Sequence, residues 1–186
     1  MIFTTAKIKI KMKTQKLLAD KLFDCITIGR DDVTTSESYL NLKRTLFKEW
    51  LINTLYMRLR LPTKYPRKML ILHGKQGVFK TSFLKNLVYP GEKKQCTHID
   101  FKKPIARDAG VIINIDDEIN CIPTKDILSL NNLIRYTNHN FCASSSYLNE
   151  WLVDVESTVI PVIDIDPSYI EIPMKQVYDE LLTNLK

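Results

Sequence analysis

Four cysteines are all this chain of 186 residues contains, and Cys25, Cys96, Cys121 and Cys142 show no C-x-x-C spacing. A zinc ribbon and a disulfide framework are therefore not expected. The three histidines, His73, His98 and His139, form no ligand pair by spacing either. No apolar run approaches the roughly 18 residues of a membrane span, and Met1 to Ala6 is too short for a signal peptide. Internal repeats and low-complexity tracts are also missing. The expectation is a non-membrane protein of the reducing cytoplasm. A hydrophobic content of 45% and a charged content of 26% are ordinary for a globular chain, and the length suits one domain.

The charge that is present is unevenly placed. Residues 1–103 carry 22 Lys/Arg against 8 Asp/Glu, whereas residues 104–186 carry 5 against 13. Three readings fit this division. The basic half can contact a polyanion, with DNA as the natural candidate; opposite edges can meet head to tail in a ring; or the lysines simply solvate the surface. Lys7, Lys9, Lys11 and Lys13 alternate with Ile8, Ile10 and Met12, the period of a half-exposed strand. Such a row either contacts phosphates or protects an edge against aggregation.

The most informative local pattern is Gly74-Lys75-Gln76-Gly77-Val78-Phe79-Lys80-Thr81. It matches the phosphate-loop pattern G-x-x-x-x-G-K-[ST] at every defined position except the second glycine, which is Phe79. The apolar run Met69 to Leu72 before it reads as a buried strand. Phe83, Leu84, Leu87 and Val88 after it fall at helical spacing. In this reading Gly74, Gln76, Gly77, Lys80 and Thr81 bind the phosphates of ATP, and Thr81 holds Mg²⁺. The benzyl group of Phe79 is expected to restrict the backbone and to stand where the anion would lie, against ATP and Mg²⁺ binding.

A second apolar strand, Gly110 to Ile115, ends in Asp116, Asp117 and Glu118. Carboxylates at the end of such a strand suit metal binding and water activation. Asp116 is the expected Mg²⁺ ligand, and Asp117 and Glu118 are the expected catalytic acids. A candidate intervening strand covers Thr97 to Phe101.

Taken in order, Trp50-Leu51-Ile52, the loop, the acidic strand and Phe141 to Leu148 resemble the virulence-associated E family. That family comprises P-loop proteins of phages and integrated mobile elements, related to superfamily 3 helicases. The resemblance covers roughly residues 42 to 186. It implies an α/β fold: a P-loop NTPase-like three-layer sandwich with a mostly parallel sheet. It also implies DNA replication as the process, and a ring or an active partner helicase as the assembly. The departures fall on chemistry. Ser146 stands where the family's sensor asparagine would be, and Ser157 and Thr158 stand where paired arginines would be. No arginine occurs from Phe141 to Pro161. An arginine finger contributes about 10³–10⁵ in rate, so weak or lost hydrolysis is expected. The alternative is a non-catalytic DNA-binding or regulatory module that docks on an active helicase.

The remaining pattern divides the chain into a small basic N-terminal appendage and linker over 1–38 and the helicase-like domain over 39–186. A short helix is expected within Thr14 to Phe23, and a long one from Tyr39 to Leu61 with apolar residues on more than one side. Further helices are expected at Pro123 to Tyr136 and Met174 to Leu185, with strands at 140–146 and 159–165.

Overall fold

The computed structural model describes residues 16–29, 36–96, 111–116, 119, 124–137, 139–147 and 154–185. Helix α1 (Leu18–Asp24) and strand β1 (Ile26–Ile28) come first, followed by helix α2 (Glu37–Arg58). Strand β2 (Met69–His73), helix α3 (Lys80–Asn86) and strands β3 (Lys93–Cys96) and β4 (Val111–Asp116) form the middle. Helix α4 (Thr124–Tyr136), strands β5 (Asn140–Ser145) and β6 (Ser157–Ile165), a 3-10 turn (Pro167–Glu171) and helix α5 (Met174–Thr183) complete it.

The six strands lie in the order β1-β6-β2-β5-β4-β3. From β6 to β3 every pairing is parallel, and β1 adds antiparallel to β6. Strand β2 is central, which explains why Met69, Leu70, Ile71 and Leu72 are all buried: a parallel strand covered on both faces has no solvent side to alternate with. Odd and even positions serve different layers. Leu70, Leu72, Ile113, Ile115, Cys142, Ile160 and Val162 pack with α1, α2, α3 and α5. Met69, Ile71, Phe141 and Ala143 pack with Ile127, Leu130 and Ile134 of α4. The result is a three-layer α/β arrangement with a mostly parallel sheet.

Helix α2 starts where the Ser36 hydroxyl accepts the Tyr39 N–H over 3.3 Å. Its second half is buried continuously from Trp50 to Leu55, as apolar residues on two sides imply. Leu42, in the second turn of the helix, is 53% exposed, and Leu61, beyond its end at Arg58, is 49% exposed. Buried polar groups lock the helix against β5. Trp50 Nε1 donates to the Phe141 carbonyl over 3.1 Å, and Asn140 Nδ2 donates to Thr54 Oγ1 over 2.6 Å. A file of rings, Phe23, Phe47, Phe83 and Tyr169, with successive centroids 5.6, 6.2 and 5.2 Å apart, ties α1, α2, α3 and the 3-10 turn together.

The expected division at residue 38 does not separate residues 18–28 from the rest. Ala19, Leu22, Phe23 and Ile26 belong to the same buried cluster as Leu70 and Ile160, and β1 extends the common sheet. The physical reason is the apolar face of α1, which packs against α2 and α5. The lysine-alternating segment 7–13, the linker at 31–35 and the candidate strand Thr97 to Phe101 lie outside the described residues. Strand β3 ends just before that last segment, at Cys96.

Candidate functional site

The site is built at the C-terminal end of β2, the position where open parallel sheets place their ligands. After His73 the chain must turn sharply beside β6, and Gly74 permits this. A Cβ built there would stand 2.0 Å from the Val162 carbonyl oxygen, closer than any side chain tolerates. The Gly74 N–H donates to the Ser145 carbonyl over 3.0 Å, so the loop is anchored to β5 as it leaves the sheet. Gly77 follows with φ +83°, a left-handed turn with open space around it.

Phe79 takes φ 58° and ψ 15° immediately before α3. The left-handed backbone that a glycine would adopt freely is thus adopted by phenylalanine, at a cost of about 1–2 kcal/mol. Its side chain is 51% exposed. The expected restriction on the backbone takes the form of a left-handed residue that glycine would adopt without strain.

Lys80 opens α3 and is 4% exposed, among the most buried charges of the chain. Its Nζ donates to the carbonyls of Gly74 over 2.7 Å and Lys75 over 2.6 Å. A buried ammonium requires such acceptors, since an unsolvated cation is expensive. The neighbouring Thr81 Oγ1 lies 3.1 Å from Ser144 Oγ on β5. Gln76 is exposed at the loop tip. The loop thus brings Gly74, Gly77, Lys80 and Thr81 together at one strand end.

Asp116 ends β4, on the far side of β5 from the strand that feeds the loop. Its partner across β5 is Ala143, which packs with α4, whereas Ser144 and Thr81 lie on the α3 side. Alternation along β4 gives the same result, because Ile113 and Ile115 face the α3 side and Asn114 and Asp116 the other. Thr81 and Asp116, the expected metal pair, thus leave the C-terminal end of the sheet from its two faces. Asp117 and Glu118 lie outside the described residues.

Ser157 and Thr158 begin β6, level with Met69 and Leu70, at the end of the sheet opposite the loop. Ser145 and Ser144 are site residues that spacing did not reveal. The signal was present in the register, His73 opposite Ser145 and Leu72 opposite Ser144, which only the strand pairing discloses. No protein-family model matches the chain, and no curated protein matches it.

Proposed function

We propose that the chain is a P-loop-type nucleotide-binding module with weak or lost hydrolysis. Its motif order is similar to that of virulence-associated E proteins, which suggests a role in DNA replication of a phage or mobile element. The observation that carries this reading is the seating of Lys80. A buried ammonium at the head of a helix, held by two carbonyls of its own glycine loop, is a cation poised to exchange those acceptors for phosphate oxygens. The loop leaves a central strand, with left-handed turns at Gly77 and Phe79 leading into α3.

Low turnover is supported by the placement of other groups. The Ser157–Thr158 pair brings neither positive charge nor proximity to the loop. This favours a module that holds nucleotide or regulates an active helicase over one that works as a motor.

A fluorescent-ATP titration of the wild type beside Lys80→Ala tests binding. Saturable binding that the substitution abolishes is expected; no saturation of the wild type at millimolar nucleotide sinks the proposal. Turnover on the order of 1 s⁻¹, with or without DNA, would refute the low-hydrolysis half, since that is an ordinary enzymatic rate.

A further inference from the structure

At the end of the sheet opposite the loop, a cleft of roughly 410 Å³ opens between the connector that follows α2, the end of α4 and the turn before β6. Its walls include Tyr65, Arg67, Lys68, Arg135 and Glu156. We propose that this cleft docks the phosphate backbone of a single-stranded nucleic acid. The inference rests on the DNA-replication part of the functional reading and does not depend on the loop.

The charge count is lopsided. Arg67, Lys68 and Arg135 line the cleft, Lys64 precedes Tyr65 in the same connector and Lys43 of α2 feels the charge of Lys68; among the described lining residues the one carboxylate is Glu156. That carboxylate is already occupied: Arg135 Nε stands 2.8 Å from both of its oxygens. Lys43 is held below the ordinary lysine range, by burial first and then by the positive charge of Lys68. Two ammonium groups near enough to repel raise the local potential, and an incoming polyanion relieves it.

The cations are also pre-positioned. Asn53, buried in α2, accepts the Tyr65 N–H over 3.1 Å and donates to the Tyr65 carbonyl over 3.1 Å. Arg67 donates to the Thr137 carbonyl at the end of α4. The connector therefore holds Lys64 and Lys68 on a fixed backbone, which lowers the ordering cost of binding.

Aromatic rings select single strands over duplex. Tyr65 lines the cleft, and Tyr136, next to Arg135, is 77% exposed. Splayed bases stack on such rings, whereas a duplex keeps its bases stacked internally. A free phosphate would need one compact pocket; here the cations are strung along a connector, as a repeating anion requires.

The test is fluorescence anisotropy of a labelled oligothymidylate at two salt concentrations. It compares wild type, the double variant Lys64→Glu/Lys68→Glu, and Lys175→Glu as an exposed charge control on α5. Lys64 and Lys68 are exposed, so the double variant is expected to fold, and circular dichroism checks this. Affinity in the double variant is expected to fall at least about tenfold, and the log–log salt slope to shrink by about one per lysine. Equal affinities in the double variant and the control overturn the proposal, as does tighter binding of duplex or no binding at all. A poly-glutamate peptide displacing the oligonucleotide at matched charge assigns the cleft to an acidic protein instead. Retained oligonucleotide binding without ATP binding would leave the cleft standing and remove only the nucleotide reading.

Discussion

Lys80 Nζ lies 2.7 Å from the carbonyl oxygen of Gly74, six residues earlier, and so closes the loop that separates them. One side chain thereby fixes both ends of the turn between β2 and α3. Lys80→Ala leaves the Gly74 and Lys75 carbonyls without this donor. Amides from Gly74 to Val78 are expected to exchange faster with deuterium in the variant. Global stability should fall by about 1–3 kcal/mol, the usual cost of an orphaned polar group. Unchanged exchange in the loop would show that the ammonium is not what holds it.

Phe79 offers a sharper test of backbone strain. Glycine at this position removes a left-handed penalty of about 1–2 kcal/mol but adds about 0.5–1 kcal/mol of unfolded-chain entropy. Phe79→Gly is therefore expected to be neutral to slightly stabilising in urea unfolding. Phe79→Val should destabilise clearly, because a β-branched residue fits φ 58° worst. A valine variant as stable as wild type would mean the turn is not held in this conformation in solution.

Gly74→Ala should be the most damaging small change in the site. The added methyl meets backbone, the Val162 carbonyl, rather than a side chain that can swing aside. A loss of about 3 kcal/mol is expected, at the upper end for overpacking, read as a lower urea midpoint. A loss below about 0.5 kcal/mol, the range of an ordinary surface substitution, contradicts the close approach of β6 to the loop.

Tyr178 predicts an alkaline limit. Its hydroxyl donates to the Leu87 carbonyl over 2.9 Å inside the core. Burial first, and the Glu92 carboxylate second, push its phenol far above the ordinary 10.0. A group raised in the folded state contributes fully below its unfolded value and loses that contribution as pH climbs past it. Stability is therefore expected to hold up to about pH 10 and then fall, as the unfolded chain alone releases the proton. Tyr178→Phe should be less stable at neutral pH by about 1–3 kcal/mol, with a shallower alkaline decline. Identical alkaline slopes in the two proteins would remove Tyr178 as the cause.

Most of the layered fold was legible because its long elements carry strong periodicity. Helix α2, the Met69–Leu72 run and strands β4, β5 and β6 all lie within a few residues of where apolar spacing puts them. Strand β1 was not visible, since Ile26-Thr27-Ile28 is too short for an alternating pattern to stand out. Strand β3 escaped for another reason: Lys93-Lys94-Gln95-Cys96 has no hydrophobic signature, and its pairing with β4 is a backbone matter. At the site, the loop could be read from residue types, because glycine, lysine and threonine there have definite chemical roles. The facing of Asp116 could not, because a shift of one position along a strand reverses the side to which a carboxylate points.

Strand β1 also bears on how the protein can be shortened. Its three residues cover the outer backbone of β6 around Val162 to Ile165. A version beginning at residue 39, where composition alone invites a cut, would lose that cover together with the apolar surface supplied by Leu22 and Phe23. The bared stretch of β6 would be a template for another molecule's strand, so such a fragment is expected to clump during purification where the full chain does not.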